Sequence, residues 1–212
     1  MDYTNEVIAK YEVDRMRQTY HGSKILASLQ AHMNKWKGCT DCALYANATN
    51  KVFFRGHVPC DILFIGEAPG PTEDRLGRPF TGKLADCFDA IVKRTLVYCA
   101  NNLKGRIPLW CVTNPVLCVP LQDRKVRPPS HKEVDACSLR LREFIDLCKP
   151  KLIVAMGDVA FDAIHNRAIG LDYTIKKIPH PGRMVRLNRD EDIELEVKRA
   201  SLLLGPALVS MF

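Results

Sequence analysis

The sequence predicts an α/β fold: a three-layer α/β/α domain around a central, mainly parallel four-stranded sheet, preceded by an N-terminal helical extension. Two observations predict it. Short strand-like runs, DILFIG (61–66), LWCVT (109–113), KLIVAM (151–156) and a fourth at 174–178, alternate with stretches of helical apolar spacing. That order joins parallel strands through crossover helices. Three of the runs also end in polar, turn-forming sequence, as strands do where a parallel sheet offers its carboxyl edge to a ligand.

Each element follows from local chemistry. Residues 3–35 read as one or two amphipathic helices with a break near His21-Gly22, so 1–36 form the extension and 37–212 the domain. After Pro79-Phe80-Thr81-Gly82, residues 83–98 carry Leu84, Phe88, Ile91 and Val92 at helical spacing. Asn114-Pro115 ends the second strand, and a polar, proline-rich loop (120–129) follows. Ser130 with Glu133 three residues later marks a capped helix start, and Lys149-Pro150 ends that helix. Gly157-Asp158 opens another helix after the third strand. The fourth strand stops at Pro179-His180-Pro181, and a last helix covers about 192–203. The chain has no repeat and no low-complexity segment.

Composition narrows the function. A net charge of +7 points to a polyanionic partner, against the bland alternative of a basic surface that keeps the protein in solution. The apolar runs stop well short of the ~20 residues a membrane span needs. The start, MDYTNEVIAKYEVDRMRQ, has no apolar signal region, so no membrane association and a cytoplasmic location beside the nucleoid are expected. Nine cysteines without an export signal argue against a disulfide framework. Cys60, Cys87, Cys99, Cys111 and Cys148 lie in or beside apolar stretches and read as small buried hydrophobes. Cys39 and Cys42 sit in a polar turn, Cys118 at a proline-flanked corner, and Cys137 in the second turn of a helix. These four can close around one metal centre. Four thiolates suit zinc or an iron–sulfur cluster alike.

The strand ends GEAPGPTED, TNP and PHPGR carry Glu67, Asn114 and His180. Taken singly, each reads as a turn residue. Together, on one sheet edge, they predict a pocket.

The same residues resemble the iron–sulfur uracil-DNA glycosylases, family 4 of their superfamily, from about Cys39 to Leu204. The first block is Gly66-Glu67-Ala68-Pro69-Gly70-x-x-Glu73-Asp74-x-x-Gly77-x-Pro79-Phe80-x-Gly82. Val112-Thr113-Asn114 before Cys118, Arg127-Pro128-Pro129 before Glu133 and Cys137, Ile153 to Gly157, and His180-Pro181 with Met184-Val185-Arg186 follow in order. The resemblance implies a 4Fe–4S cluster, rather than zinc, on Cys39, Cys42, Cys118 and Cys137. It implies a monofunctional enzyme that extrudes a pyrimidine, with uracil leading, and hydrolyses its N-glycosidic bond. Phe80 would stack on the base, Asn114 would read its edge, and His180 would donate to its carbonyl oxygen. Glu67 would orient the water, with Glu73 as rival. The backbone of Gly66, Ala68 and Gly70 would contact phosphate or base oxygen. Met184 would be the apolar wedge, with a core methionine as the equal alternative. Arg183, Arg186 and Arg189 would pin phosphates, and Arg127, with Arg124 and Lys125, would form a second basic loop. Lys83 has no evident partner to make it a nucleophile, so no lyase step is expected.

The chain departs from the family pattern at Thr81, at Leu84-Ala85-Asp86-Cys87 and at Gly182. Gly70 is small where other branches carry a bulky residue that rejects C5 substituents. A bulky modified pyrimidine, such as a modified cytosine in phage DNA, is therefore the second substrate reading. A non-catalytic uracil-binding module and a zinc-stapled nucleic-acid binder are the alternatives to an enzyme. A monomer is expected, with residues 1–36 either packed as helices, docked on a protein partner or capping the pocket.

Overall fold

The computed structural model describes residues 22–82, 84–167, 169, 172–187 and 189–212. The first part of the N-terminal extension and Lys83 lie outside them. In chain order the elements are α1 (Gly22–Trp36), a 3-10 turn (Ala43–Asn47), β1 (Phe54–Gly56), β2 (Ile62–Ile65), α2 (Pro71–Leu76), α3 (Ala85–Asn102) and β3 (Trp110–Thr113). There follow β4 (Leu121–Gln122), β5 (Lys125–Val126), α4 (His131–Cys148), β6 (Leu152–Met156), α5 (Asp158–His165), β7 (Thr174–Ile178), α6 (Pro181–Met184) and α7 (Asp190–Val209).

The central sheet runs β1-β3-β2-β6-β7. Its four parallel strands, β3, β2, β6 and β7, are those read from the sequence. A fifth, β1, pairs antiparallel with β3 at the edge. Three residues give no usable alternation, which is why sequence missed it. Alternation along β2 and β6 splits the core into two layers. Ile62, Phe64, Leu152, Val154 and Met156 face α3 and α7, while Leu63, Ile65, Ile153 and Ala155 face α4 and α5. Strands buried on both faces need apolar residues at every position, as β2 and β6 have.

The loop read at 120–129 contains a small hairpin, β4–β5, turned at Asp123 and Arg124, both with φ near +55° (50° and 60°). Two positive φ values suit the turn to the twist of its strands. The Ser130–Glu133 cap forms as read: Glu133 N–H donates to Ser130 Oγ, and Ser130 N–H donates to Glu133 Oε2 at 2.7 Å. Helix α1 rests on α4 through Glu143, which accepts from Lys35 and from Trp36 Nε1 at 2.7 Å, with His32 Nδ1 at 3.4 Å.

Candidate active site

The parallel strands end on one edge, and the loops leaving them build the site. Beyond β2, Gly66 N–H donates to Thr113 O at 2.9 Å, laying this turn against the end of β3. A Cβ at Gly66 would stand 2.4 Å from Asn114 Oδ1 and 2.9 Å from Phe80 Cζ. Gly66, Phe80 and Asn114 therefore line one slot that only a residue without a side chain permits. The Phe80 ring centroid lies 4.7 Å from that of Phe88 and 6.1 Å from that of His180. Asn114 is 2% exposed, and its Oδ1 has no hydrogen-bond partner among the described residues. An amide oxygen buried without a donor costs about 1–3 kcal/mol, so the position favours a ligand that brings one.

Phe80 adopts φ 53°, a left-handed conformation uncommon outside glycine. Glu73 holds it there: one carboxylate oxygen accepts from Phe80 N–H, and the other accepts from Gly70 N–H at 2.5 Å. This changes the expectation for Glu73. Its buried carboxylate is engaged with backbone on both oxygens, so it shapes the floor of the slot and is not poised on a water. Asp74, beside it, accepts from Thr49 N–H at 3.0 Å and Asn50 N–H at 3.1 Å, tying the segment after Cys39 and Cys42 to α2.

His180 caps α6, its Nδ1 accepting from Gly182 N–H at 3.1 Å. A neutral ring in that arrangement carries its proton on Nε2. Burial, assisted by the Arg186 charge, drives its pKa down to about 4. At pH 7 the imidazole is a neutral donor. Glu67 is half-buried; burial holds its carboxyl above the ordinary value, and Arg186 pulls it back. Arg186 is exposed and acts on both groups. Ala68 and Gly70 follow in the same turn, both partly exposed at its rim.

Two expectations for DNA contacts change. Met184 is 1% exposed, with its sulfur 3.6 Å from Cys87 Sγ, so it belongs to the core and is no exposed wedge. The short helix α6 turns it inward. The apolar side chain this loop does expose is Leu187, 37% accessible, which sequence passed over because a lone leucine in a polar loop carries no pattern. Arg127 forms a two-pronged pair with Glu133 at 2.8 and 2.6 Å, so it braces the start of α4 instead of standing free for phosphate. Arg183, Arg124 and Lys125 are exposed.

The Arg127 pair, chiefly, pulls the Glu133 pKa down to about 2. A depressed carboxylate stabilises the fold above its unfolded value and loses that contribution as pH falls through the folded one. Arg127→Ala is expected to cost about 1–2 kcal/mol at pH 7. The gap to the parent should close as pH falls from the ordinary value of 4.5 towards about 2. Urea melts across this range measure it, and a gap independent of pH would contradict the assignment.

A second cluster of ligating side chains packs against Ala68 of the glycine turn. Cys118 and Cys137 are buried, at 6% and 7% exposure, and Cys39 and Cys42 pack against the same apolar cluster, which includes Trp36 and Leu117. The charge on Cys137 would act on Cys39, Cys42 and Cys118, so the four thiols share one cradle. Burial raises the Cys39 and Cys42 thiols and pushes Cys118 up to about 11. Binding a metal there must displace protons. Among the described residues, no three ligating side chains close on a point that would hold a single ion.

The sequence profile of the Uracil DNA glycosylase superfamily matches residues 53–201. A type-4 uracil-DNA glycosylase of Sulfurisphaera tokodaii is 35% identical over 119 residues, 56% of this chain and 50% of the relative. One from Thermotoga maritima is 33% identical over 129 residues, covering 58% and 59%. One from Archaeoglobus fulgidus is 27% identical over 212 aligned positions, covering 88% of this chain and 98% of its own. The chain thus spans about half the length of the first of these relatives and nearly all of the last.

Proposed function

Since the chain belongs to the uracil DNA glycosylase superfamily, we propose that it is a monofunctional uracil-DNA glycosylase of the iron–sulfur type. The observation that carries this reading is the orphaned Oδ1 of Asn114, buried between Gly66 and Phe80. Uracil brings a donor, N3–H, beside an acceptor, O4. The Asn114 side chain offers the complementary pair, Oδ1 and Nδ2. The names of the relatives, type-4 uracil-DNA glycosylases, support the same substrate.

In this reading the flipped base slides over the Phe80 ring, which is worth about 1–3 kcal/mol per stacked base. The water oxygen bonds to the sugar C1′ as the bond from C1′ to N1 breaks. The bond's electron pair passes to the base and collects on its O2. His180 donates from Nε2 to that oxygen, and does so neutral, so no proton need be lost first. Glu67 as carboxylate orients the water, takes its proton and offsets the positive charge growing on the sugar. Arg186, exposed at the mouth, suits a phosphate flanking the lesion, and Arg183 suits another. Leu187, in place of Met184, is the side chain available to fill the vacated stack.

The four-thiol cradle suits a 4Fe–4S cluster on Cys39, Cys42, Cys118 and Cys137. The donor set is right: four cysteines from three segments, gathered in one apolar cluster. Held by these four thiolates, the cluster would tie three remote segments together and would supply no chemistry to the base. Residues 37–212 are then the catalytic domain and 1–36 an extension whose visible helix braces α4.

Single-turnover excision against pH tests this assignment. With a carboxylate base, the rate should fall on the acid side through one ionisation, that of Glu67, above the ordinary 4.5. The His180 transition, at about 4, lies below it. Glu67→Gln should remove this limb and slow excision by roughly 10²–10⁴-fold, the usual worth of a positioned acid or base. Asn114→Ala and His180→Ala should each cost about 10²–10³-fold. All three should keep their iron. Unchanged rates in the three variants would overturn the assignment, as would an acid limb near pH 6.5 that persists in Glu67→Gln.

A further inference from the structure

The most unusual buried group outside the slot is Arg140 on α4. It is 1% exposed, among the largest fully buried side chains of the protein. Its Nη2 donates to Asn114 O at 2.6 Å and Pro115 O at 2.8 Å, and its Nη1 donates to Thr113 Oγ1 at 3.3 Å. Its Nε has no partner, and no carboxylate pairs with it, among the described residues. A guanidinium taken out of water with neither counter-charge nor full hydrogen bonding is strongly disfavoured. Something must supply the anion.

The surroundings say what. Arg140 stands three residues after Cys137, on the same face of α4. Cys137 and Arg140 are both buried on that face, and Cys137, Cys118 and Cys39 are close enough to act on the guanidinium electrostatically. As thiols these groups are neutral; as metal-bound thiolates they are the missing negative charge. The other end of the guanidinium grips the backbone of Asn114 and Pro115, where β3 gives way to the loop carrying Cys118.

We propose that Arg140 is a positioning residue that couples the two centres: it is the buried counter-charge of the thiolate cradle, and through the Asn114 and Pro115 carbonyls it fixes the side chain that reads the base. Loading the cradle locks the guanidinium, and the locked guanidinium sets Asn114. The cluster then contributes to base discrimination without touching the base. This rests on the reading that the four thiols hold a cluster and that Asn114 faces uracil.

The test compares the iron-loaded parent with Arg140→Met and Arg140→Lys. One readout is the rate of iron release to a chelator. The other is affinity for two duplexes, one carrying non-hydrolysable 2′-fluoro-deoxyuridine and one undamaged. The parent is measured first: absence of iron, or no preference for the fluorinated duplex, would overturn the underlying reading and not the coupling. Given both, Arg140→Met should release iron at least tenfold faster and lose at least tenfold in preference for the uracil duplex, with undamaged-duplex affinity unchanged. Arg140→Lys keeps the charge without the fork and should fall between. A folded Arg140→Met matching the parent in both readouts would overturn the coupling. If that variant does not fold, Arg140→Lys decides: parental values in both readouts overturn it, and loss in both supports it.

Discussion

Gly66→Ala is expected to abolish excision while leaving the protein folded. The added methyl would lie 2.4 Å from Asn114 Oδ1 and 2.9 Å from the Phe80 ring, both far inside contact distance. What must move are Asn114 and Phe80, the two groups proposed to read and to stack the base. Neither has room, since Asn114 and Phe80 are each 2% exposed and the Phe80 backbone is fixed by Glu73. Overpacking of this kind costs about 1–3 kcal/mol of stability. The effect on the reaction should be larger, at least 100-fold in single-turnover rate, or about 2.7 kcal/mol of transition-state stabilisation. Gly82→Ala is the control. There a Cβ meets, among the described residues, only Thr72, at 3.7 Å, and excision should be close to parental. Excision by Gly66→Ala within a few-fold of the parent would show that the slot between Gly66, Phe80 and Asn114 does not hold the base.

Cys137→Ser is the second large effect, and it acts on the fold. Cys137 is buried in the apolar cluster that gathers the other three thiols, and it sits one turn from Arg140 on the helix that α1 braces. Losing it should release the iron and leave the Arg140 guanidinium without its anion. We expect a loss of about 3–5 kcal/mol, roughly 10 °C in Tm for a chain of this length, with loss of colour and solubility. Cys118→Ser should behave alike. Cys148→Ser is the informative contrast: Cys148 is buried against Cys60 and Cys111 in the layer under α4 and α5, in a different apolar cluster from the cradle, so it should lose packing but keep iron. Full iron retention by Cys137→Ser, measured by iron and sulfide analysis, would show the ligands to be misassigned.

The parallel strands, the glycine turn and the Ser130 cap were legible because each rests on a local pattern: an apolar run, a turn block, a residue pair three apart. The separation of four cysteines from the five core ones was legible because the four lie outside apolar periodicity, and the fold gathers them in one cluster. Tertiary context hid the rest. Arg140 looks like any charge on a helix, and only the fold reveals that its face is the buried one. Glu73 reads as an acid in a catalytic block, yet its acceptors are claimed by the backbone of Gly70 and Phe80. Met184 sits in a polar loop sequence but is turned inward by α6, and Arg127 finds Glu133 six residues on. The edge strand β1 is too short to show a period. Folded geometry decides all of these, local for Glu73 and Arg127 and long-range for Arg140 and Met184, and sequence spacing does not carry it.

The most direct test of the central claim is base release from matched oligonucleotides carrying uracil, thymine, hydroxymethylcytosine or glucosylated cytosine at one position, with alkali revealing abasic sites. The account predicts release of free uracil and an alkali-labile site at that position alone, with no strand cleavage before alkali. Release of a bulky modified cytosine without uracil would contradict it, and so would intact uracil DNA after incubation with fully iron-loaded protein.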